Sequence, residues 1–278
     1  MRKPNLFLVG APKAGSSLLW TMLKGHKDVF FTTNPEKEIN YFSYNELSMN
    51  SYYKDYKIKS EKEYLKAFKN GQKAKYLADG SISYFAYASI PKKLYDFNSE
   101  AKIVIIVRDP IDRAFSHYKM DKRMGYATAP FLEYLINKDN KYDQFINQYI
   151  ENSLYFKKTN NFLEYFDEDQ IFVMRLEEIE TDFAQLCRFL DIENLFDITS
   201  KQTINPNKIP VNIISRTLQH NRYLATMLKK VIQQKVIRYL NPFLYKKAEK
   251  MLLKNSERLL LQEYLDEDYS AFNKKYFK

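Results

Sequence analysis

Residues 5–23 carry an apolar run, a glycine-bracketed turn and a second apolar series of different period, and that order leaves few folds open. Asn5-Leu6-Phe7-Leu8-Val9 suits a fully buried strand, whereas Leu18, Leu19, Met22 and Leu23 recur at helical spacing. The turn between them, Val9-Gly10-Ala11-Pro12-Lys13-Ala14-Gly15-Ser16-Ser17-Leu18, has the makings of a phosphate cradle. Gly10 and Gly15 permit close backbone approach, and Ser16 or Ser17 can cap the helix. The N–H groups of its first turn then face an anion with the macrodipole aligned. Lys13 adds a full positive charge inside the loop. Gly10 and Gly15 also fit the nucleotide-binding pattern G-x-x-x-x-G-K-[ST], but Ser16 stands where that pattern needs lysine, and Lys13 comes three residues early.

A second segment repeats the strand-to-helix theme. Lys102-Ile103-Val104-Ile105-Ile106-Val107 is a continuous β-branched run, as expected of a parallel strand covered on both faces. Arg108-Asp109-Pro110 ends it. Asp109 is placed to cap a helix with Pro110 at its first position, and Ile111, Ala114, Phe115 and Tyr118 form the buried stripe. Arg108 thus leaves the carboxyl end of a strand, where open α/β sheets bind ligands. Ser116 follows Asp109 by two helical turns.

Pro12-Lys13-Ala14-Gly15-Ser16-Ser17-Leu18-Leu19 resembles the 5′-phosphosulfate loop of sulfotransferases that use 3′-phosphoadenosine 5′-phosphosulfate (PAPS). The motifs are most similar to those of the carbohydrate (heparan sulfate type) and bacterial branches. The segment from Arg108 to Ser116 resembles the family's 3′-phosphate site. Ala78-Asp79-Gly80-Ser81-Ile82-Ser83-Tyr84 resembles its strand-end segment, and further likeness at Ser153-Leu154-Tyr155, Ile171-Phe172-Val173-Met174 and Arg175-Leu176-Glu177-Glu178 extends the resemblance over roughly residues 5 to 215.

The resemblance implies a division of labour. Lys13 stabilises charge on the departing phosphate, Ser16, Ser17 and the amides from Ala14 through Gly15 to Leu18 hold the 5′-phosphate, and Arg108 and Ser116 clamp the 3′-phosphate. Glu38, within Asn34-Pro35-Glu36-Lys37-Glu38-Ile39-Asn40-Tyr41-Phe42, matches the glutamate that serves the heparan-type branch as catalytic base. A glutamate of ordinary pKa, about 4.3, is ionised at neutral pH and can take the acceptor's proton. Asp79 is the rival carboxylate and His117 a third choice. Asp79, Ser81, Tyr84 and His117 are the residues expected to meet the acceptor. The product is PAP, and in-line sulfuryl transfer requires no metal in principle, by analogy with phosphoryl transfer.

The remaining expectations come from composition and position. The fold class expected is α/β: a three-layer, P-loop-like domain with a mainly parallel central sheet flanked by helices and a helical C-terminal tail. All 278 residues form one domain, an α/β core over 1–200 and a basic extension over 201–278 packed upon it. The lone Cys187 fits a buried apolar role rather than a disulfide, and His26 and His220 have no partner at metal-ligand spacing. No apolar stretch is long enough to cross a membrane, so a cytoplasmic, bacterial enzyme is expected. Residues 44–68 read as a lid or acceptor loop ending in a helix near 61–68. The net charge of +10 is concentrated: 16 of the 44 basic but only 6 of the 34 acidic side chains fall in residues 201–278. That tail shows helical patterning from Ile213 to Leu240, interleaved with lysines that extend to Lys246, Lys247 and Lys250. It could close over the donor, recognise an acidic acceptor or lie peripherally on an anionic membrane.

The expected reaction moves a sulfuryl group from PAPS to a hydroxyl, with a sugar of a surface polysaccharide or glycolipid as acceptor. Two other classes compete. A P-loop-type small-molecule kinase would use ATP and Mg²⁺, with Asp109 at the metal. A non-enzymatic nucleic-acid- or membrane-binding protein would exploit the basic, tyrosine-rich composition, although no nucleic-acid recognition motif is present and no such partner is expected. Nothing in the sequence addresses oligomeric state.

Overall fold

A computed structural model describes residues 1–32, 37–50, 58–137, 142–195, 208–210, 245–247 and 251–277. Its centre is a five-stranded parallel sheet in the order β2-β3-β1-β4-β5, made of β1 (Leu6–Gly10), β2 (Val29–Phe31), β3 (Tyr76–Asp79), β4 (Lys102–Val107) and β5 (Ile171–Arg175). β1 lies in the middle, paired with β3 through Leu6↔Ala78 and with β4 through Phe7↔Ile103. All five residues of β1 are buried, which is why its sequence shows no alternation.

Alternate residues of these strands feed two cores. Phe7, Val9, Leu77, Ile103 and Ile105 face one side and pack with Tyr64 and Phe68 at α3 (Glu61–Ala67), Leu94 on α4 (Ile90–Phe97) and Phe162 on α8 (Tyr155–Leu163). Leu6, Leu8, Ala78, Val104 and Ile106 face the other, against Leu19 and Leu23 of α1 (Ser16–Lys24) and Phe183, Leu186 and Leu190 of α9 (Ile179–Leu190). Cys187 sits in this second core as a free, buried thiol. Helices therefore cover both faces, giving the three layers expected for an α/β fold.

A third cluster lies beyond the sheet. α5 (Pro110–Met124) gives it Ile111, Ala114, Phe115 and Tyr118, and α6 (Phe131–Ile136), α7 (Asp143–Tyr149) and α10 (Asn255–Tyr276) complete it with Phe131, Tyr149, Leu261 and Leu265. α10 also reaches the first core through Phe272. Its Asp268 accepts hydrogen bonds from the Phe156 and Lys157 amides, both 2.9 Å, closing the open N-terminus of α8 across more than a hundred residues of chain.

The tail departs from its expected pattern where it is described. Lys246 and Lys247, read as part of a helical series, lie in strand β7 (Tyr245–Lys247), antiparallel to β6 (Lys208–Pro210). Three-residue strands gain their stability from cross-strand pairing, which a local periodicity does not report. α10 carries Glu257, Glu263, Asp266, Glu267 and Asp268, so the final helix is not itself basic. The helical series from Ile213 to Leu240 lies outside the described residues. Between Tyr44 and Phe68, the expected helix near 61–68 is present as α3, whereas the start of the expected loop is a helix, α2 (Tyr44–Asn50); residues 51–57 lie outside the described residues. No helix among the described residues is long and apolar enough to cross a membrane.

Candidate active site at the carboxyl ends of the central strands

The turn after β1 is held in one shape by its glycines and by a distant arginine. Gly15 has φ +100°, and a Cβ there would stand 2.6 Å from Leu176 Cδ1. A Cβ on Gly10 would stand 2.5 Å from that of Phe85. Both positions therefore demand glycine, for space as well as for φ. The helix cap is Gly15, in the left-handed region, rather than a serine: neither Ser16 nor Ser17 makes the capping hydrogen bond expected of it. Their hydroxyls are thus left for the site. The expected cradle of amides also narrows, because Ala14 N donates to Ala11 O (3.2 Å) and Leu18 N to Gly15 O (2.9 Å). Gly15, Ser16 and Ser17 are the amides best placed to meet an anion, since first-turn N–H groups have no acceptor within the helix.

Two lysines converge here. Lys13, at φ 70°, places its Nζ 3.5 Å from Met120 Sδ on α5. Burial chiefly, and then the neighbouring Arg123 guanidinium, push its pKa down to about 8 despite Asp121 and Glu38 nearby. Lys37 enters from the segment before α2 and donates to Ser16 Oγ (3.1 Å), Ser17 Oγ (3.4 Å) and Glu38 Oε1 (3.4 Å). Its stem crosses Gly80 at the end of β3, where an added Cβ would stand 3.2 Å from Lys37 Cγ. Glu38, one quarter exposed, shares the electrostatic neighbourhood of Lys13. The structure thus brings Lys13, Ser16, Ser17 and Glu38 into one cluster and adds Lys37 and Arg123, which the sequence reading did not assign.

The expected acceptor residues do something else. Asp79, Ser81 and Tyr84 are fully buried and hydrogen-bond to one another, which corrects their assignment as acceptor contacts and removes Asp79 as an accessible base. Asp79 Oδ1 accepts from Ser81 Oγ (2.5 Å) and Ser81 N (3.0 Å), and Oδ2 from Tyr64 OH (3.0 Å) and Tyr84 OH (2.8 Å). Burial raises the Asp79 pKa to about 6 against the pull of these donors. Ser81 Oγ in turn accepts the Ile39 and Asn40 amides, both 2.9 Å, so the network anchors the backbone immediately after Glu38. Asn40 holds the sharp turn there at φ 56°. His117, also expected at the acceptor, is buried behind the loop, with Nδ1 3.3 Å from Arg113 Nη1. Burial and the Arg113 charge hold it well below the usual histidine pKa, so it is neutral and internal. Arg113 itself is fully buried and spans the site's underside, donating to Pro12 O (3.4 Å), Ser153 Oγ (2.6 Å), Gln148 O (2.6 Å) and Tyr149 O (2.7 Å).

A second cationic position lies at the end of β4, beside β1 in the sheet. Asp109 Oδ1 accepts Asp112 N at 2.7 Å, capping α5 as expected, and so is committed to the helix rather than placed as a metal ligand. Arg108 makes one long contact with Asp112, 3.4 Å, while its Nε is buried with no hydrogen-bond partner among the described residues. Ser116, half-buried, lies on the same helix face as Asp112, one turn further on. Lys119 completes that face; burial, followed by the Arg108 charge, lowers its pKa, so the two cations lie close together. Its i, i+3 spacing from Ser116 was the available sequence signal. A buried guanidinium nitrogen with no partner among the described residues, beside a second cation, is suited to an anion.

Comparison with known proteins bears on this pair of cationic clusters. A profile of the sulfotransferase domain matches residues 3–251. The chain belongs to the sulfotransferase domain family. Members of this family take the sulfuryl group from PAPS. Heparan sulfate glucosamine 3-O-sulfotransferase 5 of Mus musculus is 25% identical over 183 residues, covering 64% of this chain and 49% of that protein. The bifunctional heparan sulfate N-deacetylase/N-sulfotransferase of Drosophila melanogaster is 22% identical over 213 residues, 71% of this chain and 20% of that one. The chain therefore spans about half the length of the first of these relatives, or less. Among solved structures, a sulfotransferase from Alicyclobacillus acidocaldarius aligns with TM-score 0.61 and 25% identity, over 86% of this chain and 97% of that one. The sulfotransferase domain accordingly covers the sheet and both cationic clusters described above.

Proposed function

We propose that this chain transfers a sulfuryl group from PAPS to a hydroxyl of a carbohydrate acceptor. The observation that carries the reading is the pairing of two cationic sites at adjacent strand ends. One has Lys13 and Lys37 over two serine hydroxyls with a carboxylate at hand; the other has Arg108, whose Nε has no partner among the described residues, and Lys119 beside Ser116. A donor with phosphate at its 5′ and 3′ positions engages both, whereas ATP has no group for the second. The names of the heparan sulfate relatives support a sugar as acceptor.

The residues then divide the work. Ser16, Ser17 and the Gly15–Ser17 amides hold the 5′-phosphate, and Arg108, Ser116 and Lys119 hold the 3′-phosphate. Glu38 accepts the acceptor hydroxyl proton as the new O–S bond forms. Lys13 and Lys37 stabilise the negative charge left on the phosphate oxygen as the old O–S bond breaks, and PAP departs. The lowered pKa of Lys13 is that of the protein alone; a bound dianion favours its protonated form. Two lysines and an arginine provide the charge a metal would otherwise supply, so turnover without metal is expected.

The test is to incubate the protein with PAPS and a glycan panel in EDTA and to follow PAP release and acceptor sulfation. Acceptor-dependent release of PAP supports the reading. Release that is independent of acceptor throughout, or that requires added Mg²⁺, contradicts it.

A further inference from the structure

One carboxylate stands among the cations at the end of β4. Asp112, in the first turn of α5, is half-exposed and shares its helix face with Ser116 and, a turn beyond that, Lys119. Its Oδ2 lies 3.4 Å from Arg108 Nη2, and its Oδ1 lies 3.9 Å from Nη2 of Arg258, which reaches in from the start of α10. Lys119 also feels this carboxylate, which opposes the fall in its pKa. Cations from the strand end and from two helices thus converge on Asp112.

Arg258 is brought there by packing rather than by the needs of its own helix. Leu261 and Leu265 seat α10 in the cluster that contains Ile111 and Tyr118 of α5, and Lys254 N donates to Glu257 Oε2 (2.9 Å) at its start. A cation so near the beginning of a helix faces the unfavourable end of the macrodipole. Its stabilising partner is Asp112 on the neighbouring helix.

Both contacts are longer than the roughly 2.7–2.9 Å of a tight charge-assisted pair, so the carboxylate is shared loosely between two guanidinium groups. Exposed pairs of this kind contribute little, and an arriving anion has little to displace. A phosphate monoester brings close to a second negative charge and three acceptor oxygens, so it outcompetes a carboxylate for Arg108. Asp112 nevertheless stays close, because its amide is tied to Asp109 Oδ1 at 2.7 Å, and its charge opposes that of the phosphate. We infer that Asp112 is an internal counter-ion that limits affinity for the donor's 3′-phosphate, and that it passes from Arg108 to Arg258 when the donor binds. Arg258 then keeps the carboxylate away from the phosphate. PAPS and PAP share the 3′-phosphate, so a site that held it without this opposition would release its product more slowly. The inference rests on the sulfotransferase reading.

Calorimetric titration with PAP and with 5′-AMP at low salt, on the parent protein, Asp112→Asn, Arg258→Gln and the double variant, tests it. Asp112→Asn should tighten PAP about fivefold and leave 5′-AMP within a factor of two. Its thermal unfolding should come slightly earlier, since α5 loses a first-turn carboxylate. A merely structural role for Asp112 would not combine tighter binding with lower stability. Arg258→Gln should weaken PAP about threefold in the parent and have no effect once Asp112 is Asn, because the two act as a unit. The inference is overturned if the parent distinguishes PAP from 5′-AMP but Asp112→Asn leaves PAP affinity unchanged or lowers it. It is overturned equally if Arg258→Gln weakens PAP to the same extent in both backgrounds, for Arg258 would then hold the phosphate itself. Equal affinity of the parent for PAP and 5′-AMP would instead contradict the donor reading beneath it.

Discussion

The two ends of the proposed donor site are built differently. At the end of β1, Lys13 and Lys37 already have partners from other elements, the loop is fixed by two glycines and Arg113, and Glu38 is seated on the Asp79–Ser81 network. At the end of β4, Arg108 has, among the described residues, one long side-chain contact and a buried nitrogen without a partner. The first end is assembled before any ligand arrives, as charge stabilisation in a transition state requires. The second is left to be completed by what binds. Chemistry should therefore be lost by changes at the β1 end and affinity by changes at the β4 end.

The largest effect should come from Lys13→Ala, which is expected to lower turnover at saturating PAPS about 10³-fold. The same lysine should set an alkaline limb. With its pKa near 8 in the free protein, it loses its proton as pH rises through that value, so kcat/KM should fall on the basic side, and this limb should vanish in the Ala variant. Retained turnover in Lys13→Ala would dissolve the contrast between the two ends.

Glu38→Gln comes next. It should reduce turnover about 10²-fold and leave PAP affinity within a factor of two, since the amide cannot take the acceptor's proton. A parallel loss of PAP affinity would mean that Glu38 acts through the placement of Lys37 rather than as base. Arg108→Ala should invert this pattern, weakening PAP about 30-fold, or ~2 kcal/mol for a lost hydrogen bond to a charged group, with far less effect on 5′-AMP. The smallest change should be Ser81→Ala. It removes the acceptor of the Ile39 and Asn40 amides, so turnover should fall a few-fold and unfolding should become easier by about 1–3 kcal/mol, with PAP affinity unaltered.

What was legible in the sequence was what neighbouring residues decide among themselves. β4, the Asp109 cap, Pro110 and the buried stripe of α5 all follow from short-range spacing and appear where expected. So do β1 and the glycine-bracketed turn, although the cap passes from serine to Gly15 because the chain there adopts a left-handed φ that releases both hydroxyls. Lys37 and Arg123 were not legible, because their roles depend on long side chains reaching across from other elements. Gly80 shows the same limit: its meaning lies in the lysine that crosses it, 43 positions earlier in the chain. Asp79, Ser81 and Tyr84 were marked as functional by motif, yet whether a strand-end side chain faces the ligand or the core is set by packing, here against Tyr64 and Phe42. In the tail, β6 and β7 pair over more than thirty intervening residues, beyond the reach of any local period.

The central claim is that one ligand bridges both strand ends through its 5′ and 3′ phosphates. Calorimetric titration with PAP and with 5′-AMP, in EDTA, tests it directly because no acceptor is needed. The account predicts metal-independent binding of PAP that is at least tenfold tighter than that of 5′-AMP, with the difference abolished in Arg108→Ala. Equal affinity for the two nucleotides, or binding only when Mg²⁺ is restored, would contradict it.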